Sequence, residues 1–423
     1  MTETPSLVAL PDGHKAIQTD ADIIAQLTSP PPVSASDKNV WAFWHAGFSS
    51  MRPWTQRNVI GWVRRLGPEW TVRVLDQIPG SSANVYQFLE ASDLPNAVNE
   101  GTMTGHSVGP HTADLIRLPL LYRYGGVWMD VGTTLLRHLD TICWNVLADP
   151  ATPYEICGFN LDVRPGITVM MNSFIASRRR NGFIRRWHAI YLALWKGVVT
   201  CNGFHKHPLL AHLPLLHPPV DKIRDPDRQG AMGRVTDYIA QIQCFERLRK
   251  LVDPSDAFNG PRYYHEKMYL FPALQEMYHL QMRTGWNGSE QFRLLSLRRD
   301  GDGVIRDELY LRAEDFVDDM LANSALMKLS HGPPGELDTL ADLWDQPRYE
   351  DRDIQQGTFA EYIRSASVHY NQTREMVPLV LKLESEGVLH AGVVEVMRSS
   401  QSKSKQHDDC ENYSDWAVDG EKL

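Results

Sequence analysis

The feature that most restricts this chain is the passage Tyr124-Gly125-Gly126-Val127-Trp128-Met129-Asp130. Upstream of it Leu115, Leu118, Leu121 and Tyr122 recur at helical spacing, so a helix runs toward the glycine pair. Pro119 falls inside that pattern and predicts a kink or a late start, because it lacks an N–H and its ring crowds the preceding turn. Adjacent glycines supply the backbone that ends a helix and reverses the chain. Val127-Trp128-Met129 is then an apolar run of strand length, closed by Asp130. Helix, sharp turn and buried strand together predict an α/β fold that carries a carboxylate to the carboxyl end of a strand. In open α/β sheets ligands bind along that rim.

Asp114 and Arg117 lie three residues apart and share one face of the predicted helix. Spacing alone allows a weak surface ion pair as readily as a pair aimed at a ligand. Asp130 is equally ambiguous alone, since strands often end in Asp. A second unit lies upstream. Val40-Trp41-Ala42-Phe43-Trp44 is an apolar strand, Trp54 to Leu66 is a helix with Val59, Trp62, Val63 and Leu66 on one face, and Gly67-Pro68 stops it. Thr71 to Asp76 alternates as the next strand. This βαβ unit predicts parallel pairing with a right-handed crossover.

Taken together, these residues resemble the sugar-binding segment of the DxD-type glycosyltransferases, which include the yeast α-mannosyltransferases and the large clostridial glucosylating toxins. Their pattern is Ser/Ala-Asp-x-x-Arg-x-x-x-Leu-x-x-x-Gly-Gly-x-Tyr/Trp-x-Asp-x-Asp. Ala113, Asp114, Arg117, Leu121, Gly125, Gly126, Trp128 and Asp130 match it in register, and Gly132 stands where the second motif carboxylate belongs. That departure is similar to the capsular polysaccharide synthesis protein branch. The resemblance implies a GT-A type, Rossmann-like mixed sheet flanked by helices, with additional helical segments. It implies a retaining transfer from a UDP- or GDP-sugar to a glycan or other hydroxyl acceptor; for a soluble enzyme a small molecule or a protein is an equally open acceptor.

By the same resemblance Asp130, Asp114 and Arg117 are the catalytic candidates. Trp44, Asp114, Arg117, Gly125, Gly126 and Lys328 would bind the donor. Asp130 and His331 would hold a Mn²⁺ or Mg²⁺ ion, which oxygen ligands suit, and Asn172 would lie on the acceptor side. Each has a plain structural alternative: a core aromatic for Trp44, a structural hydrogen bond for Asn172, a strand-end histidine for His331. With Gly132 in the motif, the ion would keep fewer protein ligands, or the enzyme would manage without one.

Along the rest of the chain, residues 1–38 are rich in Pro, Ser, Thr and Asp and predict a flexible leader with a short helix near Asp22–Leu27. Residues 39–345 form the transferase domain, 346–398 a helical segment with one helix built on Val377, Leu379, Val380 and Leu383, and 399–423 a disordered tail. Strands are expected at Tyr154–Phe159 and Thr168–Ala176, and helices at Phe183–Trp195, Thr236–Leu251 and Tyr263–Met282. Gly105-His106-Ser107-Val108-Gly109 satisfies the G-x-S-x-G nucleophile elbow, the basis of a rival serine hydrolase reading. The polar residues before it do not form a core strand, and His106 and His111 are read as loop and cap residues. A third reading is a degenerate domain that binds sugar nucleotide without turnover.

A net charge of -9 argues against a nucleic-acid partner. The five cysteines form no CxxC pair, so neither a zinc site nor a disulfide framework is expected. No stretch reaches the roughly 18 apolar residues of a membrane span. With no apolar leader at the start, the expected location is cytoplasmic.

Overall fold

The computed structural model of the protein describes residues 7–10, 18–34, 36–164, 167–217, 225–301, 303–331, 339–385 and 387–390. Thirteen strands are present among them: β1 Leu7–Ala9, β2 Asn39–Phe43, β3 Thr71–Leu75, β4 Gly126–Met129, β5 Thr133–Leu135, β6 Ile156–Arg164, β7 Ile167–Ser177, β8 Leu251–Asp253, β9 Phe258–Asn259, β10 Met268–Pro272, β11 Leu326–Lys328, β12 Tyr370–Gln372 and β13 Leu389–His390. Six of them make the central sheet in the order β10-β6-β7-β4-β2-β3. β3, β2 and β4 run parallel, β7 runs antiparallel to both β4 and β6, and β10 is parallel to β6. The sheet is mixed and flanked by helices.

Alternation along the strands sorts their side chains between two cores. Val40, Ala42, Val72, Val74, Val127 and Met129 pack with Val59, Trp62, Val63 and Leu66 of the Pro53–Leu66 helix. Trp41, Phe43, Leu75 and Trp128 pack on the other face with Leu115, Leu118 and Leu121 of the Val108–Tyr124 helix, and with Trp187 and Ile190. The chain thus leaves β2 by a helix on one face, and returns past it to β4 by a helix on the other. The carboxyl ends of β2 and β4 thus lie at the switch point of the sheet, where open α/β sheets bind ligands.

The Val108–Tyr124 helix runs through Pro119 and ends at Gly125. Gly125 and Gly126 have φ of +65° and +101°. A Cβ on Gly126 would lie 2.2 Å from the Asn39 carbonyl oxygen, and one on Gly125 would lie 2.8 Å from the Arg179 nitrogen. The Trp41 indole donates to the Gly125 carbonyl at 2.9 Å. Only glycine gives both the backbone conformation and the close approach of β4 to β2.

Some predicted elements differ. Met268–Pro272 is an edge strand and not part of a long helix, since Met-Tyr-Leu-Phe is a β-favouring run with Leu270 and Phe271 buried. The Thr236–Leu251 helix is two helices, Arg228–Tyr238 and Ala240–Arg249, meeting at Ile239. Residues 373–385 contain neither helix nor strand. Pro378 removes a helical donor there. Leu379 N–H instead bonds the Leu270 carbonyl at 2.7 Å, leaving Val377, Val380 and Leu383 exposed. Before residue 39 the Asp20–Thr28 helix carries a Thr19/Asp22 capping box and buries Ile23 and Leu27, and β1 pairs with β12. The tail expected over 399–423 lies outside the described residues.

Two glycines separate space from conformation. Gly61 is mid-helix, and nothing lies within 4 Å of the place a Cβ would take. Gly61→Ala should therefore gain about 1 kcal/mol. Gly126→Ala should lose about 3 kcal/mol or more, through the Asn39 carbonyl and its φ. Thermal unfolding of both purified variants should move the midpoint in opposite directions.

Candidate active site

Asp130 follows β4 at the carboxyl rim, with its N–H donating to the Ser173 carbonyl at 2.9 Å and its own carbonyl accepting from Thr133 N–H at 3.1 Å. The turn it opens is held from behind: Asn58 Nδ2 donates to the Val131 carbonyl at 2.8 Å and the Trp62 indole to the Thr133 carbonyl at 2.7 Å. The Asp130 carboxylate is partly open, its side chain 30% exposed. Its Oδ1 accepts from the Trp128 indole at 2.9 Å and from Arg117 at 3.3 Å, and its Oδ2 lies 3.5 Å from Lys328 Nζ.

Arg117 joins the two carboxylates. One terminal nitrogen reaches Asp114 Oδ1 at 2.9 Å and Asp130 Oδ1 at 3.3 Å. The other donates to the Asn172 carbonyl at 2.8 Å and to Gln241 Oε1 at 3.1 Å. Its guanidinium lies 4.9 Å from the centre of the Trp128 ring. With 3% of its side chain exposed, Arg117 is an internal tie and not an open ligand contact. Asn172 enters because β7 runs antiparallel to β4, and its amide donates to Asp114 Oδ1 at 3.1 Å and to Gln241 at 2.9 Å. Behind Asp114 stands His111, Nδ1 to Oδ2 at 3.7 Å, between the rings of Trp195 and Tyr238 at 5.5 and 5.6 Å. Burial works against a charge on His111, but Asp114 and then Cys201 outweigh it and lift its pKa to about 9.

Lys328 arrives through the pairing of β11 with β5, which sets it opposite Thr133. Its Nζ donates to the Leu329 carbonyl at 2.9 Å. Burial pulls this ammonium below its usual range, and Asp130 opposes that pull.

Asp114, Arg117, Asp130, Asn172 and Lys328 are therefore one connected cluster. Trp44 is on the same rim: the register Trp41 to Trp128 sets it one residue past the level of Asp130, half-buried and stacked on His45 at 6.3 Å. Gly125 and Gly126, expected to bind the donor, do not join the cluster. They sit at the amino end of β4, about 13 Å of strand from Asp130, covered by backbone at Asn39 and Arg179. Their role is the turn. His331 is also elsewhere bound: its Nε2 lies 3.0 Å from Asp345 Oδ2, while Asp345 Oδ1 accepts from the Trp54 indole. A divalent ion shared by Asp130 and His331 does not fit this arrangement, since Asp130 already faces two basic side chains and Asp345 is the partner of His331. Among the described residues no group of three or more His, Cys, Asp or Glu side chains could hold an ion.

His111 is a helical, buried member of the site and not a cap. Its spacing three residues before Asp114 was the available signal. Gln241, from a helix remote in sequence, gave no signal. Ser107 precedes the Val108–Tyr124 helix after a turn, with no strand leading into it, so the nucleophile elbow is not formed.

A profile of the family described as "Capsular polysaccharide synthesis protein" matches residues 16–201. O-glycosyltransferase braB of Annulohypoxylon truncatum is 54% identical over 395 residues, covering 92% of this chain and 93% of its own. Glycosyltransferase afumC of Aspergillus fumigatus is 48% identical, covering 90% and 97%. The chain belongs to this family of glycosyltransferases. O-glycosyltransferase PaGT of Phomopsis amygdali is 41% identical to the glycosyltransferase described here, covering 94% and 99%. As such an enzyme, the chain has a sugar donor and an acceptor as its substrates. No helix among the described residues is long and apolar enough to cross a membrane.

The histidines give the glycosyltransferase a stability window. The raised pKa of His111, about 9, stabilises the fold fully below the unfolded value near 6.5, and that stabilisation is lost as pH rises through about 9. Burial lowers His188 to about 4, so its effect has the other sign: full stability above about 6.5, lost as pH falls toward about 4. Denaturant titrations across pH should show His111→Gln removing the alkaline limb, on the order of 3 kcal/mol, and leaving the acid limb in place.

Proposed function

We propose that this glycosyltransferase takes its sugar from a nucleoside diphosphate donor, UDP- or GDP-linked, and passes it to a hydroxyl acceptor with retention at the anomeric carbon. The acceptor oxygen bonds to the anomeric carbon. The bond from that carbon to the β-phosphate oxygen breaks, its electron pair goes to the diphosphate, and the acceptor proton leaves to that phosphate or to water. One observation carries the reading: a partly open carboxylate, Asp130, stands at the switch point of the sheet between two fixed cations, Arg117 and Lys328. Two carboxylates are matched there by Arg117, Lys328 and His111, inside a chain whose overall charge is -9. Such a local excess of basic groups over carboxylates suits a diphosphate.

In this scheme Asp130 accepts hydrogen bonds from donor-sugar hydroxyls, and Trp44 supplies a ring face at the same rim for the base. Asp114 and Arg117 are positioning residues that fix the Asp130 carboxylate, since a sugar held within a fraction of an ångström reacts far faster than a loose one. Asn172 belongs to that support. The relatives' name, O-glycosyltransferase, supports a hydroxyl acceptor, glycan or small molecule.

The test is nucleotide release from a panel of UDP- and GDP-sugars by purified protein. Asp130→Asn should lower turnover about 100-fold or more, the scale of one preorganised polar contact. Ser107→Ala should leave it unchanged. Loss in Ser107→Ala with Asp130→Asn active would favour hydrolysis, and binding of every donor without cleavage would favour a binding protein.

A further inference from the structure

The position of Gly132 is more restricted than a missing motif residue requires. A Cβ there would lie 2.4 Å from the Leu329 carbonyl oxygen and 3.3 Å from Lys328 Nζ. The approach is fixed by backbone: Leu329 N–H donates to the Gly132 carbonyl at 2.8 Å, next to the pairing of Lys328 with Thr133. The chain from β11 thus fills the space that a second motif carboxylate would enter. What it brings there is a cation, with Nζ 3.5 Å from Asp130 Oδ2 and 2.9 Å from the Leu329 carbonyl. An ammonium has three donors. The two contacts leave the third donor for a ligand that reaches past the partly open Asp130 carboxylate, the Lys328 side chain itself being only 7% exposed.

We propose that Lys328, seated by Gly132, supplies as a fixed side-chain charge what a bound divalent ion supplies in a two-carboxylate site, so that transfer by this enzyme needs no metal. The inference rests on the nucleoside diphosphate reading above. Charge grows on the diphosphate as its bond to the anomeric carbon breaks, and a divalent ion would meet it as a Lewis acid. Here Lys328 meets it as a point charge, in a poorly solvated site where such a charge acts strongly. Asp130 orients that ammonium from below and is itself held by Arg117 and Trp128. Gly132 is then the residue that makes room for the lysine-bearing strand.

The experiment compares the full chain stripped with EDTA and the same protein with added Mn²⁺ or Mg²⁺, turning over the donor found in the panel. Nucleotide affinity is measured by calorimetry in both states. The expected result is turnover and affinity within about twofold between the two states, a scatter well under one tenfold step. Lys328→Met should lose about 100-fold in turnover and bind the nucleoside diphosphate more weakly, unrescued by metal. Turnover that vanishes in EDTA and returns with Mn²⁺ overturns the inference and leaves the donor reading standing. Lys328→Met that keeps its turnover in EDTA overturns it as well. If no nucleotide sugar is cleaved in either state, the donor reading fails and the inference with it. Should Lys328→Met not fold, the wild-type comparison decides alone.

Discussion

A buried carboxylate, Asp114, and a buried guanidinium, Arg117, hold the partly open carboxylate of Asp130 in place. Arg117 is worth little as an isolated ion pair, because burying charge costs most of what the attraction returns. Its value is geometric. It links the Val108–Tyr124 helix, which carries Asp114, to the end of β4, which carries Asp130, and to β7 and the Ala240–Arg249 helix through Asn172 and Gln241. Four elements converge on one planar group whose donors suit several acceptors at once. Removing it would leave buried Asp114 with only the more distant His111 as a basic neighbour, a loss of about 3–5 kcal/mol, and would free the Asp130 carboxylate to rotate.

The glycine pair makes that convergence possible from the far end of the strand. Because β4 approaches β2 with no side chain between them, Trp41 and Trp128 lie level on one face, and the Trp128 indole reaches Asp130. The same passage that ends the helix therefore sets the orientation of the carboxylate at the opposite end of the strand. Local sequence and active-site geometry are joined there by four residues of β4.

Much of this could be read from the chain. The switch from helical to strand periodicity around Gly125-Gly126, the βαβ unit before it, and the carboxylate after Met129 are local signals, and all appear as expected. So is the Asp114 and Arg117 pairing, which spacing suggested and burial turns from a surface pair into an internal one. What could not be read depends on contacts between distant segments. Gln241 reaches Asp114 and Arg117 across more than a hundred residues, the crossing of Leu329 over Gly132 involves two remote loops, and His331 meets Asp345 because the Leu340–Trp344 helix lies near it. The glycines mislead for a different reason: a residue needed for a turn and one needed for a ligand leave the same mark on a single sequence.

The sugar donor should sit at the carboxylate that Arg117 ties to the rim of β4. A crystal structure with an unreactive nucleoside diphosphate sugar would show this. Sugar hydroxyls should lie within hydrogen-bond reach of Asp130, with the diphosphate toward Lys328 and the base toward Trp44. A donor bound away from the β2 and β4 rim, with Asp130 still closed on Arg117 and Lys328 and touching no ligand atom, would contradict this placement.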